Sequence, residues 1–260
     1  MKNPRKYGKA PYTCVVIHGG PGALGQMAPI ARKLSSIRGV LEPFQASSSI
    51  EGQIQELQTI LKKHGEFPIT LIGHSWGAWL SFIFASRYSS SLKRLILIGA
   101  GPFEKKYVQH ITKTRLSRLN EEEELKLYAL EEALEDPHGK DKNKIFSEFG
   151  SLMFKIDSFD PLPFNSQELE YRYDIFKSVW QEARELRQSG KLLSMGRSIS
   201  CPVVAIHGDY DPHPFEGVEK PLSQILKDFR FILLKKCGHY PWIERTKKDI
   251  FYEILKKELS

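Results

Sequence analysis

The chain reads as an α/β protein built on a mostly parallel sheet and interrupted once by a long helical insertion. Two observations predict this. Short apolar runs, among them Cys14-Val-Val-Ile17, Pro68-Ile-Thr-Leu-Ile72 and Arg94-Leu-Ile-Leu-Ile98, alternate with helix-forming stretches such as Ala78-Trp-Leu-Ser-Phe-Ile-Phe-Ala85, the pattern of βα units. From Gly101 to about Arg197 that alternation stops, and it resumes with Cys201-Pro-Val-Val-Ala-Ile206 and Phe229-Arg-Phe-Ile-Leu-Leu234.

Taken in order, residues 1–100 and 198–260 form the sheet-bearing core, and 101–197 form the insertion. Within the insertion, helical stretches are expected over Lys105 to Arg118, Glu121 to Glu135, Asn143 to Lys155 and Gln167 to Gln188. Breakers separate them at Asp136-Pro137-His138-Gly139 and at Asp160-Pro161-Leu162-Pro163. No repeat or low-complexity segment occurs. The 260 residues, 41% of them hydrophobic, suffice for a full core.

Composition narrows the class further. The first ten residues carry Lys2, Arg5, Lys6 and Lys9 with no apolar stretch after them, so no signal peptide is expected. No run approaches membrane-spanning length. The three cysteines, Cys14, Cys201 and Cys237, each lie beside or within a strand, as free buried thiols of a cytoplasmic protein would. The formal charge of +7 comes from basic doublets scattered along the chain, Lys62-Lys63 and Lys247-Lys248 among them. Without a basic face interleaved with aromatics, this favours solubility over nucleic-acid binding.

Chemistry enters at Gly73-His74-Ser75-Trp76-Gly77, between a strand and a helix. A serine on so tight a strand-to-helix turn is held in a strained backbone conformation, and glycine two residues to either side lets strand and helix approach. The turn exposes the Ser75 hydroxyl. It also aims the helix N-terminus, with its unpaired N–H groups and positive dipole end, at the place where negative charge would develop. This is a nucleophile elbow in its expected setting. Three more segments sit at carboxyl ends of strands: His18-Gly19-Gly20-Pro21-Gly22, His207-Gly208-Asp209-Tyr210-Asp211 and Lys235-Lys236-Cys237-Gly238-His239. Such loops share one edge of an open parallel sheet, so residues distant in sequence converge there.

In their order of serine, acid and histidine, these motifs resemble the α/β-hydrolase family, and the resemblance spans most of the chain. It implies an α/β-hydrolase fold with the insertion as a helical cap over the active site. Many relatives begin with a strand pair, but only about ten residues precede the first strand here, which implies a sheet shortened to about six strands. Ser75 is then the nucleophile and His239, in Gly238-His239-Tyr240-Pro241-Trp242, the base. The family's acid loop reads G-x-x-D, which Gly208 to Asp211 fits. Asp211 is therefore the expected acid, Asp209 the second choice and Glu104 the third. The backbone N–H of Trp76 and of Gly20 are the expected oxyanion donors, because Pro21 has no N–H. His18 and His74 hold the two motif loops in shape, His207 lies at a strand end, and His64, His110, His138 and His213 carry no catalytic context.

This chemistry requires no cofactor, and the expected partner is a small-molecule or short-peptide substrate with an ester or amide bond. Two further readings compete with it. His207, Asp209, Asp211 and His213 alternate as metal ligands on an extended chain would, but Pro212 and Pro214 break the strand there. A fold retained as a binding module sits poorly with a full set of motifs. The HGGPG loop and the Trp-Gly end of the elbow also resemble proline iminopeptidases, which use cap acids to hold an ammonium group. The acids available are Glu121 to Glu124, Glu131, Glu132, Glu168 and Glu170. The run at 121 to 124 suits a solvated helix start better. Phe146, Phe149, Phe154, Tyr171, Tyr173, Phe176 and Trp180 sit at spacings that suit the internal core of a cap better than an acyl pocket. Lyases and carbon–carbon bond hydrolases share the superfamily, and fold alone does not separate them.

Overall fold

The structure, a computed structural model of the chain, describes residues 3–163 and 169–260. Its main sheet has seven strands: β1 (Arg5–Tyr7), β2 (Tyr12–Ile17), β4 (Gly39–Glu42), β5 (Ile69–His74), β6 (Leu92–Ile98), β8 (Val203–Gly208) and β9 (Phe229–Leu234). Their spatial order is β1-β4-β2-β5-β6-β8-β9. From β4 to β9 every pairing is parallel. A two-stranded ribbon pairs β3 (Ala23–Leu24) with β7 (Glu170–Tyr171).

The expected shortening to six strands is corrected by β1. Three residues suffice for a strand here because each pairs antiparallel with β4, from Arg5 opposite Glu42 to Tyr7 opposite Val40. The buried Glu42 carboxylate then accepts the Tyr7 hydroxyl at 2.7 Å and faces Arg5 at 3.7 Å.

Helices cover both faces, which is why the strands are apolar at successive positions. On one face Val15, Ile17, Leu71 and Leu97 pack beneath α2 (Ile50–His64), α3 (Trp76–Tyr88) and α9 (Glu216–Ile225). On the other, Cys14, Val16, Ile72 and Ile98 pack beneath α1 (Ala28–Leu34) and α10 (Lys248–Leu259). All three cysteines are buried and unpaired, and burial pushes the Cys14 thiol up to about 12. Among the described residues no helix is long and apolar enough to cross a membrane.

Between β6 and β8 run α4 (Val108–Leu116), α5 (Glu121–Glu135), α6 (Lys142–Asp157), α7 (Tyr173–Gln188) and the single-turn α8 (Lys191–Ser194). Asn120 and Glu123 close a capping box at the start of α5, so the acids at 121–124 do begin a helix. The segment is not free of strands. β7 precedes α7, which therefore starts at Tyr173; the expected start at Gln167 lies outside the described residues. Helix α7 binds the insertion to the core, since Ile175, Val179 and Ala183 join the cluster under α3. Trp180 stacks on Trp79 with centroids 5.9 Å apart.

Candidate active site

From β2 the chain steps outward to β4, and it then crosses back so that β5 pairs on the other side of β2. The carboxyl ends of β2 and β5 flank this reversal, the point where open α/β sheets bind ligands. The HGGPG loop leaves one of these strands and Ser75 leaves the other. Ser75 has φ 53° and ψ −115°, a left-handed backbone that serine rarely adopts. The flanking glycines are required by contact. A Cβ on Gly73 would strike the Gly77 carbonyl, and one on Gly77 would strike the carbonyls of Ile17 and His18. The Ser75 N–H donates to Ile98 O at 2.9 Å. Trp76 opens α3, so its N–H is among the four that a helix start leaves without an intrahelical acceptor.

On the facing loop, the Gly19 N–H donates to Gln26 Oε1 at 2.8 Å, and Gly20, with φ +47°, turns into the cavity. The same Gln26 oxygen lies 3.0 Å from His74 Nδ1, and His74 Nε2 lies 3.0 Å from the His239 carbonyl. Burial, reinforced by the nearby His239, holds the His74 ring well below its ordinary value. A neutral ring has one N–H, so it donates to one of these two acceptors. His18 Nδ1 faces Gly19 O at 2.9 Å, and burial lowers that imidazole to about 4.

Asp211, after β8, accepts from two imidazoles. His239 Nδ1 lies 2.6 Å from Oδ2, while His213 Nδ1 and the His213 N–H lie 2.7 Å and 2.9 Å from Oδ1. His207 Nε2 stands 3.4 Å from Oδ2 and 2.8 Å from His213 O. Burial alone would raise the Asp211 carboxyl. The facing imidazoles of His239, His213 and His207, with the hydrogen bond from His213, outweigh it and hold the group well below the carboxylate range. Burial also lowers His213 to about 4. The other two acids lie elsewhere: Asp209 is exposed, with the Cys237 N–H 3.4 Å from its carboxylate, and Glu104 pairs with Lys106 at 3.0 Å.

The histidine loop is fastened to the end of α6. The His239 N–H donates to Asp157 O at 2.8 Å, and Arg115 grips the Asp157 carboxylate through Nε at 2.9 Å and a terminal nitrogen at 2.6 Å. Glu244, buried, accepts the N–H groups of Gly238, Phe159 and Asp160 at 2.8 to 2.9 Å. A cavity of about 400 Å³ collects the parts: Gly20, Ser75, Trp76, His213 and His239 on the core side, and Arg115, Phe146, Phe149, Phe154, Tyr171, Phe176 and Trp180 from the insertion. Those aromatics, read from spacing as cap core, line the cavity as well, while Phe146, Phe149, Tyr171 and Phe176 also pack in the insertion's own cluster. Tyr173 stays in a small cluster with Leu134 and Phe146.

A family model described as alpha/beta hydrolase fold matches residues 13–246. The chain belongs to the α/β-hydrolase family. Solved structures agree on the fold of this α/β hydrolase at low identity. An alpha/beta fold family hydrolase from Bacillus anthracis aligns with TM-score 0.70 at 14% identity, covering 98% of this chain and 94% of that one. Proline iminopeptidase from Mycobacterium smegmatis aligns with TM-score 0.65 at 19% identity, covering 98% and 93%. Paleococcus ferrophilus monoacylglycerol lipase aligns with TM-score 0.61 at 14% identity, covering 100% and 98%. No curated protein matches the chain significantly.

Sequence reasoning missed four parts of this α/β-hydrolase site. Gln26 and Arg115 lie inside helical or turn segments with no motif around them. His213 has no motif of its own, yet it stands two residues beyond Asp211, where a turn brings its N–H back to that carboxylate. Gly99 follows β6 with φ +51°, and a Cβ there would come within 3.0 Å of His239 Nδ1 and 3.3 Å of Asp211 Oδ2. Its signal was legible as a glycine at the carboxyl end of the strand next to the elbow. The metal reading on His207, Asp209, Asp211 and His213 is not reproduced as a set, because Asp209 is exposed and is not among the ligand atoms that cluster there. Asp211, His213 and His239 do bring ligand atoms within 4.8 Å of one another. Both imidazoles, however, already direct Nδ1 at the carboxylate.

Proposed function

We propose that the chain is a serine hydrolase of carboxylic esters or amides, with Ser75 as nucleophile, His239 as base and Asp211 as orienting acid. The observation that carries this reading is the buried 2.6 Å bond between His239 Nδ1 and an ionised Asp211, beside a serine on a left-handed turn in the same cavity. With the Nδ1 proton committed to the carboxylate, Nε2 bears the lone pair that a general base needs.

In the first half-reaction Ser75 Oγ bonds to the substrate carbonyl carbon while His239 Nε2 takes its proton. The carbonyl π electrons become an oxyanion held by the N–H groups of Gly20 and Trp76, each contributing on the order of 3 kcal/mol. Collapse breaks the bond to the alcohol or amine, which leaves with the proton from His239. Water then repeats the sequence, giving its proton to His239 and its oxygen to the acyl carbon. The acid departs and Ser75 recovers its proton. Residues 101–197 act as a cap that shields these steps from bulk water.

The aminopeptidase alternative lacks an anchor among the described lining residues. Glu121 to Glu124, Glu131, Glu132 and Glu170 do not line the cavity, and Glu168 lies outside the described residues. Labelling with a fluorophosphonate probe tests the main reading. Wild type is expected to label and Ser75→Ala to stay blank while keeping the same melting temperature. Equal labelling of the two would overturn the assignment of Ser75.

A further inference from the structure

We propose that the cavity selects a compact, uncharged aromatic acyl group and rejects acyl groups that carry a free α-ammonium. This deepens the serine hydrolase reading and rests on it.

The walls supply the first argument. The insertion lines the space with rings held by one another: Phe146 and Phe176 have centroids 4.5 Å apart, and Phe176 stacks on Trp180 at 6.2 Å with planes 11° apart. Trp180 is in turn backed by Trp79 at 5.9 Å. Rings braced in this way offer flat apolar faces without rearrangement, and an aromatic guest gains from stacking beyond its buried area.

Charge supplies the second. Asp157 is the one carboxylate among the described lining residues, and both its oxygens are held by Arg115. The pair is neutral as a unit, so among the described lining residues an entering ammonium finds no unspent anion and an entering carboxylate no unspent cation. Burial keeps His213 and His74 uncharged near neutral pH. Gln26 Oε1, the one side-chain amide oxygen among the described lining residues, already accepts the Gly19 N–H. An ammonium would thus lose its hydration without a partner, a heavy penalty in an apolar site.

Size supplies the third. About 400 Å³ lies toward the lower end of small-molecule pockets, which holds an acyl group of the size of phenylacetyl together with its leaving group.

The test is a series of p-nitrophenyl esters from acetyl to palmitoyl with phenylacetyl included, run beside proline and alanine p-nitroanilides. Fluorophosphonate labelling is measured on the same preparations. The expected profile rises about fourfold in kcat/KM per added methylene over the short chains and falls before palmitoyl. Phenylacetyl should exceed acetyl by tenfold or more, with both free-ammonium anilides untouched. Phe176→Ala should cut the phenylacetyl-to-acetyl ratio about tenfold. Labelling at Ser75 combined with a preference for acetyl, palmitoyl or the prolyl anilide would sink this inference and leave the hydrolase reading standing. Absence of Ser75-dependent labelling would remove that reading instead. The pocket's selectivity is then read from Ser75→Ala alone, where phenylacetamide should raise the melting temperature and prolinamide should not. The reverse order would overturn the inference.

Discussion

The core side of the cavity contributes groups fixed by hydrogen bonds, whereas the inserted helices contribute mainly apolar surface. His239 is held at Nδ1 by Asp211 and at its N–H by Asp157 O. Asp211 is held by His213 through two bonds, and Ser75 by Ile98 O. Opposite them, Phe146, Phe149, Phe176 and Trp180 meet one another ring to ring, and the Arg115–Asp157 pair is the main polar feature. The difference teaches where tolerance should lie. A hydrogen-bonded reactive group works only at one position and angle, but an aromatic wall can lose a ring and still exclude water. Substitutions on the core side should therefore lower turnover on every substrate, and those on the insertion should reorder substrates.

The largest effect expected from this contrast is at Asp211. Asp211→Asn keeps the shape but presents an amide to His239, favouring the wrong tautomer, so kcat should fall by about 10³ to 10⁴. Asp209→Asn, on an exposed carboxylate, should stay within about twofold. Parallel kcat measurements on one ester decide the matter. A large loss at Asp209 with a small one at Asp211 would reassign the acid and leave the 2.6 Å bond to His239 without a catalytic purpose.

Gly99→Ala should come next. The added methyl would crowd His239 Nδ1 and Asp211 Oδ2 so that a neighbour must give by a few tenths of an ångström, and the left-handed φ penalises alanine as well. A displacement of His239 by a few tenths of an ångström to an ångström should lower kcat by about 10². KM should change little, because Gly99 does not line the cavity. An equal loss expressed wholly in KM would show that the glycine serves substrate binding instead.

These two positions also mark how far the sequence could be read. The elbow, the HGGPG loop, Asp211 and His239 were legible because each couples a local backbone requirement to a chemical group within a few residues. The parallel sheet was legible from its apolar runs for the same local reason. β1 was not, since three residues become a strand only by pairing with β4, whose Glu42 lies 35 positions beyond Tyr7. The aromatic lining was hidden differently. Helical spacing identifies an apolar face, and that face looks the same whether it meets another helix or an empty space. Arg115 depends on a partner brought near by tertiary folding, Asp157 lying 42 residues beyond it, whereas His213 needs only the local turn that returns it to Asp211.

The smallest effect separates the scaffold of the site from its chemistry. His18 is buried with a folded-state value of about 4 against an ordinary 6.5. Between these values the unfolded chain binds a proton that the folded chain does not, so stability rises with pH across that window. The contribution is complete above pH 6.5 and is lost progressively as pH falls toward 4. Lowering the pH from 7 to 5 should cost about 2 kcal/mol from this residue, or on the order of 4 to 8 °C in melting temperature for a chain of this size. His18→Gln retains a side-chain N–H donor near Gly19 O but cannot titrate, so its melting temperature should vary less with pH than that of wild type by about that amount. Matching slopes would mean that His18 titrates normally in the folded chain. The HGGPG loop would then have to open to water below pH 6, and the Gly20 donor would not be held in place by the buried neutral ring beside it.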